Sequence, residues 1–343
     1  KLVVIMGEEW HTAEAMCRIS DQLHSQGLRD RVVMFWNANN IFGFDRINWQ
    51  RLAYTTTITT VSRYMKHIMW KLGVNPLVIP NGVPESFLHE VDAGASIALR
   101  RRLQADVMLA KVARWDPDKC WNAAVEAAAR LKARGMRTVL VARGGIEAHG
   151  REVLHNARSL GLGIKDIRDD ARGGEEQAKA LADTDGADLL NVHGHCSPDL
   201  LRLIYHASDA VLANSGHEPF GLVGLETMAA GGMAFTGGTG EDYAVHFHNS
   251  VILETADPKE IETYVVYLAE HPDEGRSIRQ AARLTARRYT WREVARDLIR
   301  KLAYQATAQG LLRPPDKAPD RSPGPSHWVG QKPKCETVLA PNV

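Results

Sequence analysis

Two carboxylates, Glu218 and Glu226, stand eight positions apart in the stretch NSGHEPFGLVGLETMAAGGMAFTGGTGE, residues 214–241. Between them Phe220-Gly221-Leu222 opens an apolar, helix-like run that continues through Val223 and is stopped by Gly231-Gly232. A helix N-terminus carries N–H groups without intrahelical partners and so suits an anion. Carboxylates on either side of it hold hydroxyl groups. The combination suits a phosphate-linked sugar. Glu226, inside the helix, points back towards its N-terminal face. A short strand, Ala234–Thr236, then leads into Gly237-Gly238-Thr239-Gly240-Glu241, where glycines allow close backbone approach. An ordinary glycine-rich helix–strand turn accounts for the same residues, with Glu218 favoured by the helix dipole. The GxGxxG spacing of dinucleotide binding is not there.

A second pair of chemically able residues is Arg114 and Lys119 in VARWDPDKCW. Both fall just past the C-terminal end of an expected strand, the edge where open α/β sheets bind ligands. Two cations there neutralise a diphosphate and stabilise it as a leaving group, arginine as a fork and lysine as a point charge. A solvated DPDK turn is the alternative. His193-Gly194-His195-Cys196 invites a metal reading, but one HxHC without a second cluster reads better as strand-end packing. His11, beside Glu8, Glu9 and Trp10 at a strand end, is the better functional candidate. No GxSxG element appears.

The elements that must position these residues alternate strand and helix, which implies parallel sheets. Leu2–Met6, Arg31–Trp36, Thr55–Val61 and Leu77–Ile79 read as strands, with helices over Thr12–Ser25 and from Ser62 to about Leu72. Asn37, Asn39 and Asn40 close the second strand. Residues 84–106 read as a polar linker. A second series follows: strands Val107–Ala113, Thr138–Ala142, Ala187–His193 and Ala210–Ala213, with helices between. Residues 164–186, charged and glycine-bearing, read as an exposed loop or insertion. Three helices follow strand Val251–Leu253, and the Pro-rich tail from Gly310 reads as disordered. The chain thus divides into a first domain over 1–88, a second over 89–290, a last helix over 291–309 and a tail over 310–343.

With 343 residues the chain has room for about two domains. With a net charge of +1, nothing points to a dedicated nucleic-acid binder. No apolar run approaches the ~20 residues of a membrane span. Arg100-Arg101-Arg102 allows at most peripheral membrane contact, and a solvated helix face explains it as well. Cys17, Cys120, Cys196 and Cys335 are few and scattered, which fits a reducing, cytoplasmic compartment. The first residue is Lys and the chain opens on an apolar strand, which reads as a fragment of something longer.

Four segments, in this order, resemble the retaining glycosyltransferases of the large family 4 group, and in part glycogen and starch synthases. TTITTVSRYMKHIMWKLGVNPLVIPNGVP is similar to the last N-domain strand–helix and its hinge turn. VARWDPDK is similar to the arginine-to-lysine diphosphate motif, SDAVLANSGHEPFGLVGLETMAAGG to the E-x7-E donor motif, and YTWREVARDLIRKL to the C-terminal crossover helix. The resemblance covers about residues 1–306. It implies a GT-B fold, two doubly wound Rossmann-like parallel-sheet domains facing across a cleft, here with an incomplete N-terminal domain. Arg114 and Lys119 would then grip the diphosphate of a nucleotide-sugar donor. Glu218 would hold the sugar near O3 and O4 with the backbone N–H groups of Phe220, Gly221, Leu222 and Val223, and Glu226 would bind the ribose. Gly238 and Glu241 would complete the donor side. EEWHTA resembles the HDWHTA stretch of the synthases, putting Glu9 and His11 on the acceptor side with Trp36 and Asn37. The group transfers a sugar with retention, by front-face attack without a protein nucleophile, and requires no metal or cofactor. The acceptor would be a carbohydrate or other small hydroxyl compound.

Three departures stand out. The family's early glycine-rich loop is absent. Trp36-Asn37 replaces a His-Asn pair of the synthases. Cys120 and Met233 stand where Gly and Pro are usual. Two other readings stay open at this stage: a phosphorylase-like GT-B enzyme using inorganic phosphate, and a non-catalytic nucleotide-sugar-binding subunit.

Overall fold

A computed structural model describes residues 2–168, 174–182 and 186–313, without the side chains of 174–176. The expectation of a disordered tail falls mainly on residues 314–343, outside the described residues.

The first sheet is built from β1 (Val3–Glu8), β2 (Val32–Ala38), β3 (Thr57–Thr60) and β4 (Leu77–Val78), joined by α1 (Trp10–Ser25), α2 (Trp49–Thr55) and α3 (Arg63–Trp70). The strands lie in that order and are all parallel. VVMFWNA forms β2 because its side chains bury on both faces, as parallel strands require. Met34 and Trp36 pack with Met16, Cys17 and Leu52 under α1 and α2. Val33 and Phe35 face the other way, against Ala306 and Leu302. β1 is an edge strand, with Val3, Val4 and Met6 exposed. Ser62 starts α3 as its side chain accepts the Met65 N–H at 3.1 Å.

The second series runs α4 (Ala93–Leu103), β5 (Val107–Val112), α5 (Trp121–Ala133), β6 (Thr138–Arg143), α6 (His149–Ser159), β7 (Ile164–Arg168), α7 (Gly174–Ala182), β8 (Leu189–His193), α8 (Pro198–Ala207), β9 (Ala210–Ala213), α9 (Leu222–Ala229), β10 (Ala234–Thr236), β11 (Val251–Ile252), α10 (Pro258–Glu270) and α11 (Pro272–Ala286). Its sheet is parallel with strand order β11-β10-β9-β5-β6-β8-β7. The chain leaves β5 towards β6 and later returns to its other side with β9. That reversal opens a crevice at the C-terminal ends of β5 and β9, where α/β sheets bind ligands. Helix α12 (Trp291–Ala308) then crosses back to the first sheet, where Lys301 Nζ donates to the Val78 carbonyl at 2.8 Å.

Two expectations are corrected. Residues 84–106 are not simply a linker, since α4 lies within them. Asp92 caps α4 by accepting the Gly94 N–H at 2.8 Å, and Leu99 and Leu103 are buried. Residues 164–186 are not simply a loop, because β7 joins the sheet edge beside β8 and α7 packs against α8. Charged residues along both segments masked an apolar spacing that a sheet and its helices could still bury.

Candidate active site

A cavity of about 270 Å3 occupies the crevice between β5 and β9. The strand ends supply Lys111, Val112, Ala113, Leu212 and Ala213. Lys119 follows β5, and Glu218 to Val223 follow β9. Asn39 and Asn81 reach it from the first domain, so the cavity lies between the domains.

At its centre Lys119 Nζ donates to Glu218 Oε2 at 2.8 Å, with side chains only 15% and 23% exposed. The two come from loops that are tied together. Gly216 N–H donates to the Asp118 carbonyl at 2.8 Å, and His217 N–H to Asp118 Oδ1 at 3.1 Å. Glu218 N–H in turn donates to Thr239 Oγ1 at 2.9 Å. Helix α9 begins at the cavity with Gly221 as its N-cap, at φ 81°, and no side chain caps it. Its free N–H groups and the Lys119 ammonium make one wall favourable to an anion.

The remaining expected donor residues stand around this centre rather than in it. Arg114 is 68% exposed at the lip, its guanidinium 3.8 Å from Asp116. Glu226 is half-buried on α9, where Tyr205 OH donates to its Oε2 at 3.2 Å, and burial pushes its carboxyl up to about 7. Glu241 is sealed behind Gly221. Its Oε2 accepts the Thr239 N–H at 3.2 Å, its Oε1 has no partner, and burial raises it to about 8. Gly238 is exposed.

On the first domain, Glu9 shapes the wall indirectly. Its carboxylate accepts the Asn39 N–H at 2.9 Å and Asn40 Nδ2 at 3.1 Å, and so holds the turn that brings Asn39 to the cavity. Burial raises its pKa. Its backbone sits at φ 65°, ψ 162°, a region that L residues rarely adopt, at about 1–3 kcal/mol of strain. Asn37 Nδ2 donates to Asn39 Oδ1 at 3.2 Å. His11 lines a separate hollow with Trp10 and Arg46. Trp36 is corrected as an acceptor contact. It is fully buried, its indole N–H shared between the Glu9 carbonyl and Thr12 Oγ1, and it offers no surface to a ligand. A larger hollow of about 360 Å3, between α4, α7 and α8, is mostly apolar and lies away from these strand ends. Among the described residues no group of three or more His, Cys, Asp or Glu is placed to hold a metal ion.

Residues 100–285, more than half of the chain, match the family described as Glycosyl transferases group 1. The chain belongs to this family. No curated protein sequence matches it. Among solved structures it is similar to HepE of Anabaena in complex with UDP, at 15% identity and a TM-score of 0.64, covering 88% of this chain and 79% of that one. It is also similar to a sucrose-phosphate synthase from Thermosynechococcus elongatus, at 15% identity and a TM-score of 0.61, covering 89% and 74%. A third likeness is to the N-terminal domain of Candida albicans trehalose-6-phosphate phosphatase, at 10% identity and a TM-score of 0.64, covering 88% and 70%. The fold of this group 1 glycosyltransferase is GT-B.

Four polar lining residues, Asn39, Asn81, Lys111 and Ser215, have no role legible in the sequence. Asn39 closes a strand and Asn81 sits in a Pro-Asn-Gly turn, both ordinary places for an asparagine. Lys111 is a lone charge in the apolar strand VMLAKV, and that mismatch is the available signal.

Proposed function

We propose that this chain is a retaining transferase of the family 4 type that moves a sugar from a nucleoside-diphosphate sugar to a hydroxyl acceptor. The observation that carries it is the Lys119–Glu218 pair at 2.8 Å over the open N-terminus of α9, in a cavity with walls from both domains. The diphosphate binds Lys119 and the first N–H groups of α9, and Arg114 swings in from the lip. Lys119 thereby exchanges its carboxylate partner for the diphosphate. Glu218 is freed to accept hydrogen bonds from the sugar hydroxyls, and Glu226 takes the ribose.

As the glycosidic bond to the diphosphate breaks, negative charge grows on the departing oxygen. Fixed cations and helix N–H groups stabilise that charge more than they stabilise the ground state. The acceptor hydroxyl attacks from the same face and passes its proton to the departing phosphate oxygen, so the anomeric configuration is retained. Asn39 and Asn81 hold the acceptor on the opposite wall. The UDP-bound HepE structure supports a nucleotide donor here, as does a structure of the same HepE with UDP-glucose. No metal or cofactor enters the scheme.

Nucleotide release from UDP-, ADP- and GDP-sugars tests this reading, with Lys119→Ala as control. The expected result is release with one donor class and a loss of about 100-fold or more in the variant, roughly 3 kcal/mol. Equal release by Lys119→Ala would sink the assigned site. Turnover dependent on inorganic phosphate instead of a nucleotide sugar would replace the reading by a phosphorylase-like one. Binding without turnover would mark a non-catalytic subunit.

A further inference from the structure

Lys111 has no part in the scheme above, yet it is the most enclosed cation at the site, at 1% exposure. Its Nζ donates to Asn214 Oδ1 at 2.7 Å and to the Leu212 carbonyl at 3.0 Å, while the Asn214 carbonyl lies at the limit, 3.5 Å. The face of Trp121 is 5.5 Å away. An ammonium closed in among neutral acceptors is unfavourable, and an apolar side chain would fill the space without that penalty. The lysine joins two loops. Asn214 opens the loop that carries Glu218. Trp121 closes the loop that carries Arg114 and Lys119, and its indole N–H donates to the Arg114 carbonyl at 2.7 Å.

We propose that Lys111 is a positioning residue of the cleft, which anchors Asn214 from beneath and so fixes the loop that presents Glu218 to Lys119. The proposal gives that loop a dependence on pH. Burial pushes the Lys111 ammonium down to about 7. The titratable and charged groups that face it are the Cys120 thiol, the Glu218 carboxylate, which favours its charge, and the Lys119 ammonium, which opposes it. Deprotonation therefore weakens the anchor as pH rises through about 7. On the function proposed above, a bound diphosphate favours the ammonium, so binding takes up protons and weakens over the same range. Glu226 and Glu241 titrate there with the same sign. The share of Lys111 is the difference between the native chain and a Lys111 variant.

The test is amide hydrogen exchange of the free chain at pH 6 and 8.5, corrected for intrinsic rates, for the native chain and Lys111→Met. In the variant, residues 214–218 should exchange about tenfold faster at pH 6, while β6 and α10 stay unchanged. The native loop should lose protection at pH 8.5 beyond any loss shared with β6 and α10, and the variant should show only the shared loss that Glu226 and Glu241 bring. Unchanged loop protection, or a loss spread evenly over the seven-stranded sheet, overturns the proposal. Should Lys111→Met not fold, Asn214→Ala removes the Oδ1 acceptor and carries the same expectation. Calorimetry with UDP-glucose and ADP-glucose, whose diphosphate diesters do not titrate near neutrality, is the second readout. Native affinity should fall about tenfold from pH 6 to 8.5, and the variant's less than threefold. If neither donor binds and GDP-glucose also fails, the nucleotide-sugar reading fails, and the exchange comparison still decides the role of Lys111.

Discussion

Glu241 shows how one side chain can be legible as a residue and illegible as a role. The glycine cluster around it suggested a ligand contact, but the fold closes Gly221 and Tyr243 over it. A carboxyl raised to about 8 binds its proton in the native state over a range where the unfolded chain, near 4.5, has lost it. Native stability is therefore unaffected below about 4.5 and falls as pH rises towards 8. Glu241→Gln should remove that loss. Its unfolding free energy should exceed that of the native chain by ~2–4 kcal/mol at pH 8, seen as a higher melting temperature, and by much less at pH 5. A constant difference between native and variant in a pH series of thermal melts would show that the burial of Glu241 carries no such linkage. Lys111 teaches the converse. Its charge in an apolar strand is visible in the sequence, but its partners, Leu212 on β9 and Asn214 just beyond it, lie about a hundred positions away.

At the scale of elements, the turn after β10 and the start of α9 are locked by backbone approach. A Cβ on Gly240 would stand 2.1 Å from the Glu218 carbonyl oxygen and 2.3 Å from that of Pro219. Neither atom is at the end of a flexible side chain, so Gly240→Ala must displace the segment that carries Glu218. The expected outcome is a destabilisation of about 2–4 kcal/mol in denaturant unfolding, together with a clear loss of nucleotide-sugar affinity. Wild-type affinity in the alanine variant would show that the segment tolerates displacement. The apolar runs that form β5, β6 and β9 were readable because buried parallel strands need continuous hydrophobes. Helix α4 was not, since AGASIALRRRL carries three arginines in its last turn and only Ser96, Leu99 and Leu103 turn inward.

At the scale of the whole molecule, the two domains touch beside the cavity as well as at the hinge. The hinge is the bridge of Val83 to Thr290, where the Val83 N–H donates to Tyr289 at 2.8 Å. Beside the cavity, Asp242 accepts the Arg63 N–H at the start of α3 at 2.7 Å, and Tyr64 OH meets His217 Nδ1 at 2.9 Å. These contacts hold α3 against the loops of Glu218 and Glu241. Exposed hydrogen bonds of this kind contribute about 1 kcal/mol each, enough to bias closure without governing the fold. Tyr64→Phe combined with Asp242→Ala should widen the particle in solution scattering and raise KM several-fold, with a melting temperature within about 3 °C of native. An unchanged scattering profile would mean that the hinge and α12 alone set the cleft.

The order of strand and helix outside residues 84–106 and 164–186, the presence of two parallel-sheet units and the segment around Glu218 were determined by the sequence itself. Each rests on local spacing: apolar runs, caps such as Ser62, and glycines at the ends of helices. Tertiary structure alone decided which of those residues share a cavity. It brought Lys119 to Glu218 across 99 positions of chain, turned Arg114 out to the lip, sank Trp36 into the core, and delivered Asn39 on a turn held by Glu9. The physical reason is that a parallel sheet joins strands through crossovers, so neighbours at its ligand-binding edge are remote in sequence and their meeting depends on strand order.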